Sequence, residues 1–498
     1  MPSWGDLIFV ALLGVLVFTP LSMRLLGDAG IGWHIRTGQQ ILATHAIPRV
    51  DSFSSTTAGK PWFAWEWLYD LVVGKLEAAL GLNGVVWFTA VVIASVFAWT
   101  FRLLLARGTN MMVALALVLL AMSASMIHFL ARPHVLSWLF ALAWFWVLDS
   151  SEREGCERRL WRLPLLMLVW VNVHGGFLVG FVLLAIFLAG TAWTWFRAKE
   201  GRIEEALQKI AAGQRARTLF GVGVLSGIAS LANPYGWKLF GHVYGYLSNR
   251  FLMDHIDEFQ SPNFHGIAQR CFLVLLLITI ALLAWRGREL RLSEGLTVLF
   301  AVYAGLYASR NIPVSSILLV SVAGPLVPAP NWLGGFSRRM AAVEARLRGH
   351  VWPVVAVVAT LAIASNGGRV GSAVWMDARF DPKRMPVEAV NFLARQRLAG
   401  PVLTTDSWGG YLIFRLYPQA HVVVDDRHDL YGEKFFKAYL KMVRVETGWD
   451  GFLQEHESSF LLLPRGAALA NMIAESHAWK RVYEDEVSIV FVPETSRK

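Results

Sequence analysis

The residues that could do chemistry in this chain are gathered in a few polar gaps between long apolar runs. The first gap, "GDAGIGWHIRTGQQILATHAIPRVDSFSSTTAGKPWFAWEWL" (27–68), carries Asp28, His34, Arg36, Lys60 and Glu66. Shorter gaps follow. "ARPH" (131–134) holds Arg132 and His134, "NVHGG" (172–176) holds Asn172 and His174, and "SRNIP" (309–313) holds Arg310. Much later, "TTDSWGGYLIFRL" (404–416) adds Trp408 and Tyr411. A carboxylate within hydrogen-bond reach of a hydroxyl or amide can act as a base. Asp28 is that candidate, although Asp also suits the N-cap of a helix starting near Ile31. Ionisable groups at membrane depth are costly and mark functional sites by default. Pro133 breaks the chain between two apolar runs, and Gly175 and Gly176 let the backbone beside His174 approach a neighbour closely. Glu66, between Trp65 and Trp67, reads as solvated rather than as an inward acid.

The elements that position these groups are membrane spans. The chain has 498 residues, 55% hydrophobic and 16% charged, with a mean hydropathy of +0.46. A soluble chain carries nearer a quarter charged residues. Apolar runs near the ~20 residues that cross a bilayer fall at 7–26, 85–105, 111–129, 134–149, 162–173, 177–197, 217–232, 270–285, 294–309, 312–327 and 351–365. The sequence therefore predicts a polytopic α-helical membrane protein of about eleven spans. Alternate gaps are basic: Arg102 and Arg107; Arg153, Arg158, Arg159 and Arg162; Arg197, Lys199, Arg202, Lys209, Arg215 and Arg217; Arg286, Arg288 and Arg291; Arg338, Arg339, Arg346 and Arg348. The positive-inside rule puts these gaps and the N-terminus in the cytoplasm. The gaps with the His, Asn and Asp residues then all lie outside. The net charge of +10 belongs to this topology, and no nucleic-acid partner is expected. Cys156 and Cys271 form no disulfide or zinc pattern.

The first loop (27–84) reads as two amphipathic interfacial helices joined by a polar turn, and 233–269 as a second long external loop. Residues 203–216 read as a basic helix on the cytoplasmic surface. Residues 1–365 thus form the membrane domain. From 366 to 498, strands alternate with helices, which predicts an external α/β domain: strands at "GPVLTT", "HVVVDD" and "FLLLP", helices at "PVEAVNFLARQRL" and "GAALANMIAESH", and a hairpin at "WKRVYEDEVSIVFVP".

This layout resembles the GT-C superfamily of integral membrane glycosyltransferases. Their first external loop starts with an acidic residue at the end of the first span and holds two interfacial helices. Asp28, Trp33-His34, Arg36, Pro48 and Asp51 are similar to the loop of oligosaccharyltransferases. Lys60-Pro61 is similar to a motif of protein O-mannosyltransferases and lipid A aminoarabinose transferases. The stretch "TTDSWGGYLIFRL…HVVVDDRHDLYG" resembles the start of the oligosaccharyltransferase soluble domain, with half of its motif present. Together these stretches look like an uncharacterised bacterial subgroup of the superfamily.

The resemblance implies a transferase that moves a sugar from a polyprenyl-phosphate-linked donor to an acceptor at the periplasmic face of a bacterial inner membrane, in contact with the lipid bilayer. Asp28 would be the catalytic base. His34, Arg36, Lys60, Glu66, Arg132, His134, Asn172, His174, Arg310, Trp408 and Tyr411 would contact substrate or donor. Metal-dependent members carry an acidic pair in the next external loop, where this chain has "HFLARPH" without a carboxylate. No cofactor is therefore assigned, and a divalent metal (Mg or Mn) is the weaker alternative to a cationic site of Arg132, His134, His174 and Arg310 that holds the donor's phosphate. The competing readings are a non-catalytic scaffold or degenerate relative, and a transporter or flippase, although the internal repeats that transporters tend to show are not found. A reporter active only outside the cytoplasm, fused after Lys498, is expected to be active; activity of a cytoplasmic reporter instead would overturn this topology.

Overall fold

A computed structural model describes all residues except 1, 199–202, 329–338, 340–341, 345–350, 397–398 and 495–498. The expected basic residues Lys199, Arg202, Arg338, Arg346 and Arg348 lie outside the described residues.

The apolar runs form helices at close to their expected positions. The first becomes α1 (Trp4–Phe18) and α2 (Leu21–Leu25), followed by α3 (Ile31–Thr44). The second interfacial helix and the second span are one element, α4 (Trp67–Ala106), bent at Gly81, whose φ of 62° leaves the helical region. Next come α5 (Met111–Ser125), α6 (His134–Glu154), a short α7 (Leu163–Trp170), α8 (Leu178–Arg197) and α9 (Ile203–Ser230). The segment 203–216 is thus the first half of one 28-residue helix and not a separate surface helix; nothing in its sequence breaks helical propagation. The second external loop holds α10 (Lys238–Ser248) and α11 (Arg250–His255), and α12 (Ile267–Arg286), α13 (Leu292–Tyr307) and α14 (Ile312–Ala323) follow. The last apolar helix is Val351–Ser365.

Among the described residues, four helices are long and apolar enough to cross a membrane, and three shorter apolar helices accompany them. The chain is a multi-pass membrane protein. The count of eleven exceeds what helix length alone supports, because several runs fold as short or broken helices.

The two kinds of gap lie at opposite ends of this bundle. At one end Arg107 joins Asp149 and Glu294, while Arg291 meets Asp149 at 2.9 Å and Glu152 at 3.0 Å. At the other end stand Arg132, His134, His174 and Arg310, facing the C-terminal region.

That region is built on a five-stranded sheet of order β4-β3-β5-β7-β6. Strands β3 (Gly400–Leu403), β4 (Ala420–Val422) and β5 (Phe460–Pro464) are parallel, and the hairpin of β6 (Trp479–Glu484) and β7 (Ser488–Pro493) adds antiparallel to β5. A two-stranded hairpin, β1 (Arg369–Val370) with β2 (Ala373–Val374), precedes it.

Helix α3 is held between the membrane bundle and the helix Asp406–Leu416. Both contacts run backbone to backbone. A Cβ on Gly38 would stand 1.8 Å from the Asp70 carbonyl, and one on Gly32 would stand 2.1 Å from the Gly410 carbonyl. Only glycine permits such approach. Arg36 reinforces the second contact, donating from Nε to the Phe414 carbonyl at 2.9 Å. A methyl at Gly410 would lie 2.3 Å from the Ala29 carbonyl. Gly410→Ala should therefore cost about 1–3 kcal/mol, the usual overpacking penalty, read as a lower melting temperature in detergent.

Candidate active site

A cavity of about 1560 Å³ lies between the membrane helices and the C-terminal region. Its wall takes residues from each of the polar gaps: Asp28, Trp33 and Glu66 from the first loop, Arg132 and His134, then His174, Glu258, and Arg310, with Trp408, Asp426 and His428 from the C-terminal side.

Asp28 ends the short turn after α2. Its Oδ1 accepts the Gly30 amide at 2.8 Å, an Asx turn ahead of α3 rather than a cap on that helix, and its Oδ2 accepts Arg132 Nη1, also at 2.8 Å. Arg132 also faces Asp426 Oδ2 at 3.6 Å, and Asp426 Oδ1 accepts Trp33 Nε1 at 2.9 Å. Burial and the nearby carboxylates Asp28 and Asp425 outweigh Arg132 and raise Asp426 to about 7. Two acids and one guanidinium thus share one wall.

The opposite wall is built on Glu66. This residue is 8% exposed. It is an inward acid, contrary to the solvated expectation, because the 172–176 turn and α3 cover the face of the helix that carries it. Burial raises its carboxyl to about 8. His34 Nε2 stands 3.8 Å from one of its oxygens and His174 Nε2 3.7 Å from the other. Behind the cavity, His34 Nδ1 meets Asp70 at 2.6 Å. Burial holds both imidazoles well below their ordinary pKa.

Arg310 stacks 4.4 Å from the Phe259 ring centroid and meets Glu258 at 3.3 Å. Burial opposes ionisation of Glu258, but Arg310 and Arg132 override it and hold its pKa low. His134 Nε2 faces the His128 carbonyl at 2.9 Å. Trp408 lines the cavity and donates to the Arg384 carbonyl at 3.0 Å.

The remaining expected residues stand outside the cavity wall. Lys60 is exposed on the polar turn of the first loop. Arg36 is occupied by the Phe414 carbonyl. Asn172 is buried and bridges, accepting Trp67 Nε1 at 2.8 Å and donating to the carbonyls of Leu168 and Ala232. Tyr411 is buried against Phe380 and accepts from Arg415. In each case a local backbone or packing partner takes up the polar group.

Sequence reasoning left out Asp70, Asp426, Arg427 and His428 as site residues. The run "VDDRHD" was the available signal, a dense charged cluster directly after an apolar strand. Arg427 is 3% exposed and bridges Asp51 of the first loop, at 2.8 Å, to Asp425, at 2.7 Å. Burial opposes ionisation of Asp51, yet Arg427 holds its pKa low. His428 bonds Asp406 at 3.0 Å; burial would lower its pKa, but Asp406 raises it.

Among the described residues no three His, Cys, Asp or Glu side chains are grouped to hold a divalent metal, and the carboxylates Asp28 and Asp426 already face a guanidinium.

No family model and no curated protein matches this sequence. Solved structures do. The oligosaccharyltransferase of Archaeoglobus fulgidus in its apo form aligns at 10% identity and a TM-score of 0.56, over 99% of this chain and 75% of that one. The same organism's oligosaccharyltransferase AglB, in complex with an inhibitory peptide and a dolichol-phosphate, aligns at 9% identity and a TM-score of 0.55, over 93% and 69%. ArnT from Cupriavidus metallidurans in the apo state aligns at 16% identity and a TM-score of 0.52, over 97% of both chains. The chain has the GT-C fold.

Replacing Arg427 with Met should strand Asp51 and Asp425, both 1% exposed or less. Losing one partner of a buried ion pair costs roughly 3–5 kcal/mol, so Arg427→Met should lower the melting temperature far more than a change at exposed Lys60.

Proposed function

We propose that this protein is a membrane glycosyltransferase that moves a sugar from a polyprenyl-phosphate-linked donor to an acceptor, at the periplasmic face of a bacterial inner membrane. The observation that carries the reading is the two-natured cavity. One side is apolar, with Val179, Val182, Phe300, Tyr303 and Val314, and the other holds the arginines, carboxylates and histidines. Val182 and Tyr303 are 38% and 64% exposed. An isoprenoid chain suits the first side and a phosphate the second. A. fulgidus AglB, which shares the fold, has been captured with a dolichol-phosphate.

In this reading the bond between the anomeric carbon and the donor phosphate oxygen breaks, and its electron pair leaves with the phosphate. Arg310 and Arg132 stabilise that charge. The acceptor's oxygen or nitrogen bonds to the anomeric carbon, and its proton passes to a cavity carboxylate. Asp28 is the candidate from sequence, already bonded to Arg132 and to a backbone amide.

Native mass spectrometry of the purified protein should detect a bound polyprenyl phosphate; bulk phospholipid alone would count against the reading. The two arginines should separate. Arg310 meets a Glu258 whose side chain is 33% exposed and which Arg132 also holds ionised, so Arg310→Met should cost less stability than Arg132→Met. Losing a charge-assisted contact of ~1.5–3 kcal/mol, it should bind added undecaprenyl phosphate roughly ten- to hundredfold more weakly. Arg132→Met should also destabilise, because it leaves Asp28 and Asp426 facing each other.

A further inference from the structure

Among the described residues, the buried carboxyl of Glu66 has no hydrogen-bond partner. Its side chain is 11% exposed and opens on the cavity, and its two nearest titratable neighbours among the described residues are imidazoles at 3.7 and 3.8 Å. An unbonded buried carboxyl is costly unless a function retains it.

The surroundings give the two imidazoles opposite protonation patterns. His174 Nδ1 accepts the Gly176 amide at 3.0 Å, and an amide can only donate. Trp170 Nε1 donates to Ser137 Oγ at 2.8 Å, which frees the Ser137 hydroxyl to donate to the same Nδ1, also at 2.8 Å. The ring proton of neutral His174 therefore sits on Nε2, aimed at Glu66. His34 is reversed. Its Nδ1 lies 2.6 Å from Asp70 Oδ1; with Asp70 ionised, Nδ1 is the donor and Nε2 carries a lone pair. That Nε2 is fully buried and has no hydrogen-bond partner other than what Glu66 can offer from 3.8 Å. Glu66 thus has a proton donor on one side and a proton acceptor on the other, the second backed by a carboxylate. This order, carboxylate to imidazole to reacting group, is the logic by which a fixed tautomer supports a base. Asp28, by contrast, has both oxygens engaged.

Resting on the transferase reading above, we propose that Glu66, and not Asp28, takes the acceptor's proton, with His34 and Asp70 as the positioning pair behind it and His174 holding the carboxylate's other oxygen. The acceptor O–H or N–H bond breaks as the nucleophile bonds to the anomeric carbon. The proton moves to Glu66, and the electron pair of the broken sugar–phosphate bond leaves on the phosphate. The groups that face Glu66 are His34 from α3, Asp70 one turn along α4, and His174 from the 172–176 turn. Arg132, Arg310, Glu258 and Asp429 act from farther off. The carboxyl titrates near 8, so turnover should rise with pH and level off above that value.

The experiment uses full-length protein in lipid nanodiscs, with two readouts. Binding is measured with undecaprenyl phosphate. Turnover is the release of undecaprenyl phosphate from the lipid-linked sugar fraction of the producing membranes, followed by mass spectrometry from pH 5.5 to 9.5. Glu66→Gln should bind as wild type does but turn over about 10²–10⁴-fold more slowly, the usual contribution of a general base, and should lose the alkaline rise. Glu66→Asp, which keeps the carboxyl, should retain the rise at a reduced rate and serves if the Gln variant folds poorly. Asp28→Asn should keep the rise. If Glu66→Gln keeps wild-type turnover, or if the rise disappears with Asp28→Asn and persists with Glu66→Gln, the proposal is wrong. A wild-type protein that neither binds undecaprenyl phosphate nor releases it overturns the transferase reading, and this one with it; binding with altered turnover isolates the question of the base.

Discussion

One buried cation holds the two halves of the cavity together. Arg427 directs Nη1 to Asp51 of the first loop and Nε and Nη2 to Asp425. The rings of Trp62, Phe53 and Trp33 lie 4.8, 5.4 and 6.0 Å from its guanidinium carbon. Burying such a charge is tolerable only when its hydrogen bonds are met, and here the partners are themselves fixed. Asp51 also accepts from the Phe53 amide and from Ser54 and Thr57, and Asp425 accepts Tyr431. The polar network is satisfied and rigid, as buried networks must be.

The same short stretch builds the cavity wall. Asp426 reaches Trp33 and Arg132, and His428 reaches Asp406. Asp426, Arg427 and His428 all line the cavity, so anchoring Arg427 on the first loop fixes its two neighbours beside it. The clamp and the site are one piece of backbone. The glycine contacts of α3 act at the same junction, setting the depth at which the first loop can sit.

Much of this could be read from the sequence, and the rest could not, for identifiable reasons. Span positions follow from apolar runs, and the strands and hairpin after residue 400 follow from alternating pattern and turn residues. The shared face of Arg132, His134, His174 and Arg310 follows from the alternation of basic gaps, which is a one-dimensional signal. Glu66 was misread because its neighbours Trp65 and Trp67 do not reveal which helix face the distant 172–176 turn covers. The bend at Gly81 and the continuity of α9 depend on packing rather than on local pattern. Arg36 looked like a ligand contact because a loop arginine carries no mark of the Phe414 carbonyl it meets. Asp70 lies within the same helix as a membrane span, and only the docking of α3 reveals it as the partner of His34.

The first loop also completes the terminal sheet. Ser54 forms a parallel bridge to Val422 on the edge strand β4, the Ser55 amide donates to the Val422 carbonyl at 2.8 Å, and the Thr56 hydroxyl donates to the Val423 carbonyl. An edge strand left open is a template for unwanted pairing; here its cover comes from residues 367 positions earlier in the chain. At synthesis rates of 5–20 residues per second the partner strand is roughly 20–70 s behind. The loop is made before the strand it pairs with, and its Asp51 lacks Arg427 until that strand and the turn after it are made. A chain that stalls before β4 therefore has a membrane bundle with no site.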